Sequence, residues 1–220
     1  MKKLVFLSTV LLLLSGCSLV NINEQSIDEI INSVITGESD LKSVSLDGYS
    51  YFLPQGVNLS RSDAGNSILY YNHKKMYLYV DFISYYHKVD FEYKTNTTAY
   101  YSKSINVNGH KGYIEITEVS GRYFVEFMYH YSKMEAYVEK EDLNKTITVM
   151  GHILNSVKFN DVVIDSLVGE NSLNFTEEKF NIFKPNGESN SNFLDYVEQY
   201  DDGRTTGKDE DILELEENIE

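Results

Sequence analysis

From Gly48 the hydrophobic period changes to two, and the runs that follow it commit the middle of the chain to β-strands. Tyr49-Ser50-Tyr51-Phe52-Leu53 runs into Pro54-Gln55-Gly56, a strand closed by a turn. Further strand-like runs cover Ser67–Asn72, Met76–Tyr86, Ala99–Ile105, Gly112–Val119, Arg122–Tyr131 and Met134–Val138. Turn-like separators stand between them: His73-Lys74-Lys75, Asn106-Val107-Asn108-Gly109 and Ser120-Gly121. In Gly112–Val119, Ile114 and Ile116 share one face while Glu115 and Thr117 take the other. An antiparallel sheet with one packed face needs that alternation.

Helical periodicity flanks the strands. Ile27, Ile30, Ile31, Val34 and Ile35 form one apolar stripe, Ser26 with Glu29 makes a capping box, and Gly37 supplies a stop. The polar residues 38–47 read as a connection. Leu143, Ile147, Met150, Leu154 and Val157 trace a second stripe, with Asp142 as N-cap. Within it, the β-branched run Thr146–Val149 and interior Gly151 oppose the helix, the glycine by about 1 kcal/mol relative to alanine. The predicted fold class is α+β: one domain over 25–200, a mostly antiparallel sheet of about six to eight strands packed with an N-terminal and a late helix. Residues 161–184 read as two further short strands ending at Phe183-Lys184-Pro185-Asn186-Gly187. Phe193, Tyr196, Val197 and Tyr200 suggest a last short helix.

Tyrosine pairs recur at Tyr70-Tyr71, Tyr85-Tyr86 and Tyr100-Tyr101. Their equal spacing suits consecutive strands of a meander, with rings as cross-strand neighbours. They are either ordinary aromatic strand residues or a recognition surface, for which Tyr77, Tyr79, Tyr85 and Tyr86 are the binding candidates.

The single cysteine, Cys17, cannot form an internal disulfide, so the fold must stand on its hydrophobic core. It follows a basic start (Lys2, Lys3), the apolar run Leu4–Leu14, and Ser15-Gly16. That run covers about 16 Å as a helix, short of the roughly 30 Å of a bilayer core. The two initial lysines argue against a buried core helix, and the whole suits a secretory signal. Leu14-Ser15-Gly16-Cys17 resembles the lipobox of bacterial lipoproteins. The resemblance implies that residues 1–16 are removed, that the Cys17 thiol carries a diacylglycerol, and that residues 17–24 are a lipidated spacer. It places the protein on the extracytoplasmic face of a cell membrane, held by a lipid anchor that needs no help from surface charge.

Charge excludes some partners. The formal charge of −15 becomes −17 once residues 1–16 are gone. A nucleic-acid binder wants a basic face, and anionic lipid would repel this surface. Residues 201–220 hold nine acids against Arg204 and Lys208. This segment reads as an unstructured acidic tail, or as a short amphipathic helix using Ile212, Leu215 and Ile219.

Catalytic signatures are missing from the sequence. There is no Gly-x-Ser-x-Gly, no His-x-x-x-His, no phosphate-binding glycine loop and no spaced calcium loop in Asp209-Glu210-Asp211. The separation of any paired carboxylates is a three-dimensional property. No metal or other cofactor is expected.

Gly48-Tyr-Ser-Tyr-Phe-Leu-Pro-Gln-Gly-Val57 and Ile153-Leu-Asn-Ser-Val-Lys-Phe159 are similar to stretches of the Mog1/PsbP-like fold. That resemblance implies a small non-catalytic domain that binds partners, and it assigns no functional residue. The expectation is a non-enzymatic accessory domain for another envelope protein. A small-ligand or wall-polymer binder using the tyrosines is the alternative.

Overall fold

The computed structural model describes residues 22–168 apart from 38 and 64. Ten strands and four α-helices are defined among them: β1 (Val44–Leu46), β2 (Tyr49–Tyr51), β3 (Val57–Asp63), β4 (Asn66–Tyr71), β5 (Lys74–Val80), β6 (Tyr101–Val107), β7 (His110–Val119), β8 (Arg122–Tyr129), β9 (Ser132–Val138) and β10 (Lys158–Phe159), with α1 (Ile27–Ile35), α2 (Phe82–Tyr86), α3 (Leu143–Asn155) and α4 (Asp161–Val168). The architecture is α+β, one domain with mostly antiparallel sheet. Seven strands form the main sheet in the order β3-β4-β5-β9-β8-β7-β6, and β1, β2 and β10 form a small second sheet. Every pairing is antiparallel.

Four hairpins of the main sheet close through two residues, both with positive φ: Asn72-His73, Asn108-Gly109, Ser120-Gly121 and His130-Tyr131. Such turns match the right-handed twist of the flanking strands, and they favour asparagine and glycine because a side chain crowds the backbone at positive φ. Three of the four contain one of those residues. His130-Tyr131 contains neither.

The core lies between one face of the sheet and the helices. Ile114, Ile116, Val125, Phe127, Met134 and Ala136 are completely buried there against Ile30, Ile31, Val34 and Ile35 of α1 and Ile147, Met150, Ile153 and Leu154 of α3. Helix α1 starts with the expected capping box: Ser26 N donates to Glu29 Oε2 at 2.8 Å, and Glu29 N donates to Ser26 Oγ at 3.3 Å. Gly151 lies where α3 meets α1. A Cβ there would stand 2.2 Å from Val34 Cγ2 and 3.4 Å from Phe127 Cε1. The helix-opposing glycine is therefore the contact that lets two helices and the sheet close together.

Several sequence expectations are corrected. The run Met76–Tyr86 breaks at Asp81, whose carboxylate accepts from Ser84 N at 2.8 Å and starts α2, so Tyr85 and Tyr86 are helical. The tyrosine pairs consequently do not lie on consecutive strands: Tyr70-Tyr71 end β4, while Tyr101 opens β6 at the far edge of the sheet. Residues Asp161–Val168 are helical rather than extended, with Asn160 accepting from Ile164 N at 2.9 Å and Val163 N at 3.4 Å. Three strands were not foreseen: β1 within the polar connection, β3 immediately after the Pro54-Gln55-Gly56 turn, and β10 just after α3. Asp142 does stand at the N-cap position of α3, but its carboxylate pairs with Lys74 Nζ at 2.7 Å instead of capping. The signal segment, Cys17, the stretch 169–200 and the acidic tail lie outside the described residues.

The second face of the sheet departs furthest from simple alternation. Glu115, placed on the polar face, is buried because Tyr93 and Asn96, from the segment between α2 and β6, lie over it. The Tyr93 hydroxyl donates to Glu115 Oε2, and Asn96 Nδ2 donates to Oε1 at 2.9 Å. Tyr93 also stacks on Tyr113 with ring centroids 4.5 Å apart. Glu115, Glu126 and Glu135 stand directly opposite one another across β7, β8 and β9. Each is 2% exposed, and Lys133, 5% exposed, reaches Glu126 at 2.7 Å and Glu135 at 2.9 Å. Like charges directly opposite on adjacent strands destabilise a sheet, so this row depends on its lysine and its hydroxyl and amide donors.

Candidate functional site

The hairpin turns Asn108-Gly109 and His130-Tyr131 emerge at the same end of the sheet, and a pocket of about 100 Å³ opens between them and the segment Val89–Phe91. Register makes this site. Because β7 starts at His110 and β8 ends at Tyr129, the two histidine rings stack, with centroids 3.6 Å apart and planes 28° from parallel. The backbone locks the arrangement: His130 N donates to Lys111 O at 3.1 Å, and Asp81 N donates to Tyr131 O at 2.8 Å.

Two other elements converge on His130. Phe159 of β10 meets its ring edge to face at 5.4 Å, and Tyr85 of α2 does the same at 6.0 Å. Tyr85 also stacks on Phe159 at 3.8 Å, and its hydroxyl donates to Asp161 Oδ1 at 2.8 Å. Tyr131 donates to Val89 O at 3.1 Å, and Lys111 Nζ donates to Asp90 Oδ1 at 2.6 Å. The positive φ of His130 (46°) and Tyr131 (59°) is a conformation that bulky side chains rarely adopt. Strain of this kind, of order 1–3 kcal/mol per residue, persists only where the surroundings over-determine it and concentrates at functional sites.

The electrostatics follow from burial. Burial, then the neighbouring His110 and Lys158, push the His130 pKa down to about 4, so its ring is neutral at neutral pH. Burial and the bond to Asp161 raise Tyr85 to about 12. The ion pair with Lys111 holds Asp90 below the usual carboxylate range and raises Lys111. The lining side chains that carry polar atoms are Asp90, His110, Lys111, His130 and Tyr131. The pocket walls are thus polar and aromatic.

His130 gives a pH dependence of defined sign. Its folded pKa lies below the ordinary 6.5, so the unfolded chain takes up the proton first as pH falls. Stability from this group is complete above about 6.5 and is lost as pH falls through about 4. His130→Asn, which tolerates positive φ, should flatten the slope of unfolding free energy against pH in that window. Denaturant titrations at several pH values check it, and parallel slopes for the two proteins would refute the assignment.

The tyrosines named from sequence do not assemble into one surface. Tyr77 is buried against Phe124 on the second face of the sheet, and Tyr79 is half-buried on that face. Tyr85 belongs to the aromatic cluster beside His130, and Tyr86 is exposed next to His87. Sequence reading missed His110, Lys111, Asp90 and His130, because spacing along the chain keeps the histidines apart. The legible signal was His130-Tyr131 standing between two strands without an asparagine or glycine.

No protein-family model matches the chain, and no curated protein matches it. Among the described residues no helix is long and apolar enough to cross a membrane, and no group of three or more His, Cys, Asp or Glu side chains is placed to hold a metal ion.

Proposed function

We propose that this chain is a non-enzymatic binding domain, tethered by lipid on Cys17 to the extracytoplasmic face of a cell membrane, whose pocket at His110 and His130 receives a side chain of another envelope protein. The observation that carries the reading is a small pocket built on a strained turn. About 100 Å³ is well below the roughly 300–1,000 Å³ of a drug-sized ligand site but fits one protruding side chain. The resemblance of residues 48–57 and 153–159 to the Mog1/PsbP-like fold supports binding rather than catalysis. Exposed Val89 at the pocket rim offers apolar contact to an approaching surface.

Two measurements test this reading. A photo-crosslinking residue at position 89, in the intact envelope, should trap a specific protein; trapping none would sink the partner. Cys17→Ala should leave the domain folded while blocking lipidation and cleavage, moving the protein out of the lipid-modified membrane fraction. If that variant still matures and stays membrane-bound, the anchoring reading is wrong.

A further inference from the structure

The two faces of the main sheet are covered differently. Helices α1 and α3 pack on the first; on the second, Phe91 and Tyr93 lie against Tyr79, Tyr113 and Met128. Beside them an apolar cluster crosses four adjacent strands: Ile68 of β4, Tyr77 and Tyr79 of β5, Tyr137 of β9 and Phe124 of β8. Among the described residues, every member of this cluster is a strand residue of that face. Tyr77 is nonetheless 1% exposed and Phe124 6%, and the Tyr77 hydroxyl, the atom farthest from its backbone, is buried as well. Strand side chains stand roughly perpendicular to the sheet, so lateral neighbours close their flanks and leave their tips to what lies above. We propose that residues 169–184 of this chain lie over this face, with Leu173, Phe175, Phe180 and Ile182 against Tyr77, Phe124 and Tyr137.

The first argument is where the described chain ends. α4 finishes at Val168, and its Asp161 accepts from the Tyr85 hydroxyl of α2 at 2.8 Å. α2 in turn follows β5 directly through Asp81. From Val80 back to Tyr77 is about 10 Å at ~3.3 Å per residue, and a stretch the length of 169–184 spans up to about 55 Å. The other end of the described chain points away. The carbonyl of Ile22 accepts from Asn144 Nδ2 of α3 at 3.0 Å, so the residues before it leave from the helix layer on the first face.

Chemistry supplies the second argument. Leu173 and Phe175 flank Asn174, and Phe180 and Ile182 flank Asn181, which is the strand period twice over. Thr176-Glu177-Glu178-Lys179 separates the two pairs, and Pro185-Asn186-Gly187 closes the stretch. The acidic residues 201–220 suit this face poorly. They would bring nine acids beside Glu126 and Glu135, buried carboxylates that already share Lys133. Glu177 and Glu178 instead match the cations on the face: Lys75 Nζ stands 5.3 Å from the Tyr77 ring centroid, and the Arg122 guanidinium 5.1 Å from that of Tyr137. Tyr77, Tyr79 and Tyr137 are then core residues of the full chain and not an open recognition surface. The histidine pocket lies apart from this contact and does not depend on it.

The test places p-benzoylphenylalanine at position 137, in the full chain extracted from membranes, and maps the photo-crosslinked peptides by mass spectrometry. A bond should form within one chain between position 137 and the stretch 169–184, with a yield that dilution does not change. Crosslinks confined to residues 1–21 or 201–220, to a second copy with a yield that falls on dilution, or to another protein would overturn the proposal, as would none at all. Phe180→Ser in the same photoreactive chain should weaken the bond several-fold with the far-ultraviolet circular dichroism unchanged. Val162→Ser, at a site 81% exposed on α4, should leave the bond intact. Equal yields from these two variants would refute the apolar contact.

Discussion

Replacing Lys133 with methionine should destabilise the protein by about 3–5 kcal/mol near neutral pH, the usual effect of leaving buried charges without their partner. Glu126 and Glu135 are 2% exposed, and Lys133 is the ammonium that reaches both, at 2.7 and 2.9 Å. Burial alone would lower the Lys133 pKa, but Tyr113, Glu135 and Glu126 around it more than reverse that and hold it above its ordinary value of about 10.5. The contribution is therefore complete below about 10.5 and is lost only as pH rises through the folded value. In the methionine variant the deficit should shrink on acidification, because protonation relieves carboxylates that have lost their counter-charge. Adding Glu126→Gln and Glu135→Gln should recover much of the loss, since replacing a whole buried ion group is far milder than breaking it. Urea denaturation of the three proteins at about pH 7 and about pH 5 decides the matter. A loss under about 1 kcal/mol for Lys133→Met would mean that the row does not depend on its lysine.

Gly151→Ala comes next in size. Alanine gains about 1 kcal/mol of helix propensity over glycine, and on an isolated helix the substitution would stabilise. Here the new methyl would sit 2.2 Å from Cγ2 of Val34, a buried β-branched side chain with little rotamer freedom, and 3.4 Å from Phe127. Overpacking should dominate, with a net loss of about 2 kcal/mol. Val34→Ala alone leaves a cavity and also destabilises. The double variant should be more stable than the sum of the two singles by at least about 1 kcal/mol, because each change makes room for the other. Additive losses would place the strain elsewhere.

These two sites also show what the sequence held and what it hid. The capping box at Ser26 and Glu29, the apolar stripes of α1 and α3, and the strand runs around Ile114 and Val125 depend on local chemistry and appear where their spacing puts them. Gly151 read as a defect in a helix, since its reason is Val34, a residue on another helix far along the chain. Glu115 read as solvent-facing because alternation marks which face a residue takes but not what covers that face, and Tyr93 and Asn96 arrive from a segment with no period of its own. The break at Asp81 was hidden by the apolar residues after it, although an aspartate three positions before Ser84 carries the capping signal. The pocket was the least legible feature, because stacking His110 on His130 requires the β7–β8 register before the two rings can be seen as neighbours.

The strand order has a consequence for how the domain assembles. β3, β4 and β5 follow one another through short turns, as do β6, β7, β8 and β9, so each half of the main sheet can zip up from contacts close in sequence. The halves meet along β5 and β9, where Val80 pairs with Ser132 and Met76 with Ala136 across the whole intervening chain. Closing that seam carries the largest loop entropy in the sheet. The pocket hairpin His130-Tyr131 begins at the end of this seam, and Tyr131 O is bound by Asp81, the residue just after β5. The two halves are thus pinned together at the histidine pocket.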